Sequence, residues 1–202
     1  MNRRIAGLVV GFVVAGVVSA HAQATFMPSY TAPYRAFEKS EFGAALSFPG
    51  GSVTGIEGFY RVGYKQFDFG ARGGIASGNS NTEVLLGVEG RVGVIEQKES
   101  FPLDGAVIVG FGTVGFDNWN IPAGLSIGRV INIEDSDISL TPYVQPTVML
   151  GFLEGGAGTR TTEFGFSLGL GLDVKLSSQF DARLSVGVGD VEGFSIAAVW
   201  VR

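Results

Sequence analysis

Strict alternation of apolar residues with small or polar residues is the feature that most constrains this chain. In residues 164–176 every second residue is Phe, Leu or Val, and the residues between them are Gly, Ser, Asp or Lys. Because successive side chains of a β-strand point to opposite faces, this segment predicts a strand with one apolar face and one face of small or polar groups. A helix is disfavoured, since glycine recurs too often for a stable helix interior.

The same alternation predicts ten strands along the chain. Segments rich in Gly, Pro, Asn, Asp and Ser separate them, which is the composition that tight reversals need. Short connections favour consecutive antiparallel hairpins, so the predicted fold is all-β and up-and-down, with eight strands as the alternative. The predicted strands are residues 42–48, 56–64, 67–75, 84–94, 105–113, 121–130, 138–152, 164–176, 180–188 and 194–201.

The N-terminal residues predict export. Arg3 and Arg4 precede an apolar run at residues 5–18, and the small residues at 20–22 suit a cleavage site. The run is shorter than the ~20 residues of a membrane-spanning helix. We therefore predict a cleaved signal peptide at 1–22, an irregular N-terminal leader or extra edge segment at 23–40, and a barrel domain at 41–202.

Composition excludes several function classes. The chain has no Cys, and its one His, His21, lies in the predicted signal peptide. Without these side chains in the mature protein we predict no enzyme activity, no metal site and no cofactor. A hydrophobic content of 46% with only 16% charged residues excludes disorder. A net charge of −5 disfavours a nucleic-acid partner, since the phosphate backbone attracts basic patches.

The apolar faces predict contact with lipid. Strands of ~9–11 tilted residues cross the hydrocarbon of a bilayer, and the opposite faces are rich in Gly and Ser, which suits a narrow lumen. In lipid every backbone N–H and C=O must be paired, so the sheet must close into a transmembrane β-barrel. An even strand number places both ends in the periplasm. The turns near 65–66, 96–104, 134–137 and 177–178 then face the periplasm, and the other connections face outward.

Aromatic residues at the strand ends predict the two membrane interfaces, where such rings gather in two girdles. The predicted interface residues are Phe42, Tyr64, Phe67, Phe180 and Trp200 at one rim, and Phe48, Phe152, Phe164 and Phe194 at the other.

Charged residues on the opposite parity predict ion pairs inside the barrel. The acidic ones are Glu57, Asp68, Glu89, Asp173 and Asp181, and the basic ones are Arg61, Lys65, Arg72, Arg91, Lys175 and Arg183. Isolated charges in a narrow lumen are costly, whereas paired ones are tolerated. Our hypothesis is a paired plug that blocks free flow; the alternative is a small water-filled channel. The candidate lumen cluster is Glu57, Arg61, Lys65, Asp68, Arg72, Glu89 and Arg91.

Two prolines predict weak hydrogen bonding between one strand and its neighbour. Pro142 and Pro146 share a parity on the strand 138–152, so their missing N–H groups would face the same neighbouring strand. We predict locally weak pairing there and a lateral seam, with a strand end or bulge as the alternative.

Three stretches carry a family resemblance: the alternation at 165–174, the segment 180–184, and the terminal strand from 193 to 202. Over roughly residues 41–202 the chain resembles the small outer-membrane β-barrel proteins of Gram-negative bacteria, the OmpA-like transmembrane barrel superfamily. The resemblance implies an outer-membrane location, contact with outer-membrane lipid and lipopolysaccharide, and assembly by the barrel insertion machinery. One departure is that Val201 and Arg202 follow Trp200, where such barrels usually end in an aromatic residue.

We therefore expect a monomeric, porin-like integral outer-membrane barrel with a structural role or passage of very small solutes. One alternative is a soluble exported β-barrel or sandwich that binds an apolar ligand. The other is a surface-recognition protein that acts through its outer loops.

Overall fold

A computed structural model describes residues 23–33, 39–78, 81–154 and 159–202. The predicted signal peptide at 1–22 lies outside the described residues. Ten long strands and one short strand, β7, follow one another along the chain. They are β1 (Glu41–Pro49), β2 (Thr54–Tyr64), β3 (Phe67–Ser77), β4 (Thr82–Ile95), β5 (Asp104–Val114), β6 (Asn118–Gly128), β7 (Ile131–Asn132), β8 (Ser139–Glu154), β9 (Arg160–Lys175), β10 (Phe180–Gly189) and β11 (Gly193–Val201).

The sheet closes on itself. Successive long strands pair antiparallel, β6 pairs directly with β8, and the two residues of β7 pair with the start of β8. The first and last strands also pair, over a register that runs from Glu41 opposite Val201 to Pro49 opposite Gly193. The predicted closed antiparallel barrel of ten strands is thereby confirmed. In the described part of the chain, no helix is long and apolar enough to span a membrane.

The apolar faces point outward, as the alternation predicts. Along β2, Ile56, Tyr60 and Val62 are exposed while Glu57 and Arg61 are buried. The same holds around the barrel, where Phe69 is 61% and Val109 51% exposed. A soluble barrel would turn these side chains inward, so the exterior is inconsistent with the soluble alternative.

The predicted interface aromatics lie at the two rims. Phe42 stacks on Trp200 with ring centroids 5.9 Å apart, and Phe180 meets the same indole edge-on at 5.0 Å. At the other rim Phe48 and Phe194 are register partners and stack at 4.8 Å. Phe42, Tyr64, Phe67, Phe164, Phe194 and Trp200 are exposed, and Phe48, Phe152 and Phe180 are half-buried. Their contact with the lipid interface remains a prediction.

Pairing is interrupted at one of the two prolines. β8 pairs with β9 without a break, but its pairing with β6 skips from Gly124–Thr147 to Ile127–Val144. Pro146 lies in this gap and has no N–H to donate, which accounts for the missing pairs. Pairing of β6 with β5 also skips the positions around Pro122. Weak pairing thus occurs where it is predicted, while a seam that opens remains a hypothesis.

Candidate functional site

The barrel lumen contains residues from the chain's own N-terminal part. Residues 23–33, here called the lumen segment, form neither helix nor strand, and every one of them is buried. The interpretation of this stretch as an edge segment is therefore wrong, because it lies inside the barrel and not along a sheet edge. A buried segment without secondary structure must find other partners for its backbone polar groups.

Lumen side chains supply those partners. The Pro28 carbonyl accepts hydrogen bonds from the hydroxyls of Ser185 (2.8 Å) and Ser195 (3.2 Å). Two arginines also donate to segment carbonyls, and each of the remaining donors is a neutral side chain on β6 or β8. These contacts are Arg72 to Ser29 O at 3.2 Å, Arg91 to Ala32 O at 2.6 Å, Tyr143 to Tyr30 O at 3.0 Å, Ser126 to Thr31 O at 2.9 Å, and Asn120 to Gln23 O at 3.0 Å and Ala24 O at 3.2 Å.

Glycines on the lumen faces make room for the segment. A Cβ at Gly169 would overlap the Tyr30 ring, and one at Gly112 would overlap the Ala24 carbonyl. A Cβ at Gly128 would lie 3.0 Å from Cδ of Pro33. The small residues of the alternating pattern are therefore matched to this segment, because larger side chains would occupy its space.

The segment runs through the barrel from one end to the other. Met27 packs in a buried cluster with Ala76 and Leu85 at the end predicted to face outward. Pro33 lies beside Gly128 at the opposite end, which is predicted to face the periplasm. The lumen segment thus crosses the height at which a solute would pass.

A network of buried ion pairs lies beside the segment inside the barrel. Arg61 contacts three carboxylates: Glu41 at 3.3 Å, Asp68 at 2.5 Å, and Glu89. Arg91 reaches Asp68 from the other side at 2.7 Å. All of these side chains are almost fully buried. Since removal of one partner would leave a buried charge without compensation, the group is held together as a unit.

Two further arginines extend this network. Arg72 lies 3.3 Å from Glu89 and 3.9 Å from Glu57, whose carboxylate accepts no hydrogen bond from any described residue. Arg183 pairs with Asp173 at 2.9 Å and reaches Glu41 at 3.5 Å. Glu41, on β1, therefore bridges Arg61 on β2 and Arg183 on β10 inside the lumen.

Six of the seven members of the candidate lumen cluster lie together inside the barrel: Glu57, Arg61, Asp68, Arg72, Glu89 and Arg91. Lys65 does not. It lies exposed in the turn between β2 and β3 with a positive φ of 57°, and its Nζ lies 5.4 Å from the centre of the Tyr64 ring. The turn geometry reverses the chain at this point, so strand parity no longer predicts the direction of the side chain.

Sequence reasoning missed two contributors. Glu41 directly precedes the predicted strand 42–48, and extension of the lumen parity by one residue would have found it. The lumen segment carried a weaker signal, since residues 23–33 include Phe26, Met27 and Tyr30 but no charged residue. An uncharged stretch with large side chains is unusual for a solvated leader.

Residues 10–197 match the family described as the outer membrane protein beta-barrel domain. The chain belongs to this family. Among solved structures, a KdgM porin aligns with a TM-score of 0.43 and 9% sequence identity, covering 79% of this chain and 98% of that chain. No curated protein matches significantly.

Membership in the outer-membrane barrel family confirms the predicted fold and the predicted outer-membrane location. For a barrel of this family, the lumen is the route by which a solute would cross. In this member that route contains both a peptide segment and a buried ion-pair network. Across the described residues, no group of three or more His, Cys, Asp or Glu side chains is arranged to hold a metal ion.

Proposed function

We propose that this outer-membrane barrel is held closed by the lumen segment, has a structural role in that state, and passes very small solutes when the segment is displaced. The main support for this proposal is that all of residues 23–33 are buried. Their carbonyls are held by side chains from opposite sides of the barrel, such as Arg72 on β3 and Ser185 on β10.

Displacement of the segment is compatible with an intact barrel. Wall pairing is entirely between strands, and the first of these begins at Glu41, after the segment. Each hydrogen bond to the segment contributes only ~0.5–1.5 kcal/mol net, and water that entered the lumen would solvate the freed donors. Departure of the segment therefore breaks no backbone hydrogen bond of the barrel wall.

The experiment is single-channel recording in planar bilayers on the mature chain and on a variant that lacks residues 23–33. We expect the mature chain to be almost silent and the deletion variant to conduct steadily. Heat-modifiable gel mobility serves as the control that both barrels are folded. A large, steady conductance in the mature chain would overturn the closed state, and a silent deletion variant would leave only the structural role.

Export and assembly form a further part of the proposal. We infer that residues 1–22 are removed as a signal peptide, since Gln23 lies inside the barrel in the folded protein. N-terminal sequencing of the protein from isolated membranes tests this directly. We also propose that the barrel is a monomer, inserted by the barrel insertion machinery, whose exterior contacts lipid and lipopolysaccharide, and that it is not an enzyme.

A further inference from the structure

We propose that the outer mouth of the barrel contains a binding site for a small organic cation with an apolar body. The proposal rests on the orientation and the closed lumen proposed above. A cavity of about 590 Å³ opens at this end of the barrel, within the ~300–1,000 Å³ range of small-molecule sites. The apolar side chains that line it are Phe26, Met27, Val53, Ala76, Val114 and Leu153.

The lumen segment forms the floor of this cavity. Phe26 and Met27 are only 6% and 4% exposed, so the floor is a packed surface and not a pair of loose side chains. Met27 packs against Ala76, Leu85 and the walls formed by Val53 and Val114. An apolar ligand body placed here would lose water contact on several sides, which is the main source of its affinity.

Carboxylates select the charge of the ligand. Glu83 and Glu154 line the cavity, and none of the described lining residues is Lys or Arg. The Asn118 side chain accepts a hydrogen bond from the Glu154 backbone N–H at 3.2 Å, which ties the β8 end of the rim to β6. Arg160 is the register partner of Glu154 and offsets part of its charge, whereas the register partner of Glu83 is Ala76. Two carboxylates beside one arginine leave a net negative charge, which attracts a cationic head group and repels an anion.

The surface around the cavity also carries a net negative charge. The outer ends of the strands and the connections between them carry many acidic residues and one basic residue, Arg160. Clefts lined by one sign of charge raise the local concentration of the opposite ion. The acidic residues are Glu83, Asp117, Glu154, Glu163, Asp190 and Glu192.

Occupation of the cavity would stabilise the closed barrel. Because Phe26 and Met27 belong to the lumen segment, a ligand that contacts them binds the closed state and loses its floor when the segment leaves. Binding to one state alone shifts the equilibrium toward that state. The cation is therefore expected to suppress openings as well as to bind.

Two methionines allow ligand binding to be followed by NMR, one as the probe of the cavity and the other as the control. After removal of Met1 with the signal peptide, the chain contains only Met27 and Met149. Met27 lines the cavity, whereas Met149 is buried beside Tyr30 and Tyr143 and does not line it. Methyl-labelled methionine in the mature chain, reconstituted in nanodiscs, thus reports on the cavity and on the deeper lumen separately.

The experiment titrates phenethylammonium, with neutral 3-phenylpropanol and anionic 3-phenylpropanoate as analogues of similar shape. We expect the cation to shift the Met27 methyl resonance saturably and to leave Met149 unmoved. The double variant E83Q/E154Q should bind the cation about fivefold more weakly, the effect of two exposed charge pairs together. The control E99Q/E134Q, with two exposed carboxylates at the opposite end, should bind like the parent.

The proposal would be overturned by no shift at Met27, by equal affinity for the alcohol and the cation, or by unchanged affinity in E83Q/E154Q. A non-saturating shift of both methyls would show partition into lipid and would overturn it as well. The readout involves no conductance, so loss of cation binding and failure of the closed-lumen proposal are separate outcomes. If the variant lacking residues 23–33 stays silent in recordings while Met27 of the mature chain still responds to the cation, only the closed-lumen proposal is contradicted.

Discussion

The hydroxyl of Tyr30 lies 3.0 Å from the hydroxyl of Ser167, with the Tyr30 ring directly over Gly169 on the same strand. One face of β9 therefore provides both a polar partner and an empty position for a side chain that is distant in sequence. The small residues on the lumen face of β9 therefore form a binding surface for the lumen segment. Substitution of single lumen glycines can therefore test whether the lumen segment keeps the barrel closed.

Gly169→Ala is expected to loosen the lumen segment. The new Cβ would overlap the Tyr30 ring, and such overpacking costs about 1–3 kcal/mol. Chymotrypsin cleaves after Phe and Tyr, so its access to Phe26 and Tyr30 reports on the segment. We expect N-terminal cleavage to become faster in this variant, as measured by mass spectrometry.

Gly151→Ala is the matched control for that change. Gly151 is also buried on the lumen side, but a Cβ there would be 3.5 Å from the Met149 Cε, an ordinary contact. Its cleavage should proceed at the parent rate. Equal cleavage in the two variants would show that Tyr30 does not hold the segment in place.

Arg61→Ala is expected to destabilise the barrel by about 3–5 kcal/mol, because Glu41, Asp68 and Glu89 would lose a shared buried partner. Urea unfolding followed by heat-modifiable gel mobility measures the change. Lys65→Ala is the control, since Lys65 is exposed in a turn and such surface changes are usually within about 0.5 kcal/mol. Similar unfolding midpoints for both variants would mean that the network adds no stability.

The double variant R72A/R91A is expected to raise the open probability in single-channel recordings. Both arginines donate to segment carbonyls, Ser29 O and Ala32 O, and both also pair with lumen carboxylates. Their removal loosens the segment and widens the lumen. A recording as quiet as that of the parent, from a folded barrel, would contradict a gating role for these contacts.

Pro146→Ala is expected to slow amide hydrogen exchange on the facing part of β6, at Leu125 and Ser126, which have no pairs with β8 in the present register. The alanine supplies the missing N–H, and one added hydrogen bond contributes about 0.5–1.5 kcal/mol. Pro142→Ala serves as a comparison, because pairing resumes next to it at Tyr143. Already slow exchange throughout β6 in the parent would argue against a seam.

Much of the wall could be read from sequence because the signal is local. Period-two alternation in 164–176 and its counterparts predicts each strand and its outward face, and every predicted strand has an observed counterpart. The ends were less predictable. β8 and β9 extend to Glu154 and Arg160, beyond the predicted strands, because their hairpin continues with polar residues such as Thr161 and Thr162 that carry no alternation.

The sequence by itself determined the strands, their apolar exteriors and the need for closure, since these follow from neighbouring residues and from the cost of unpaired backbone groups in lipid. Strand parity also predicted most of the charged residues of the lumen, and only the tertiary structure decided that the chain's own residues 23–33 lie among them. Residues 23–33 have no periodicity, and their partners, from Arg72 to Ser195, become neighbours only when the sheet curves into a barrel. Closure also joins Glu41 to Arg183, because β1 and β10 come to flank the same strand, β11, only when the first and last strands pair.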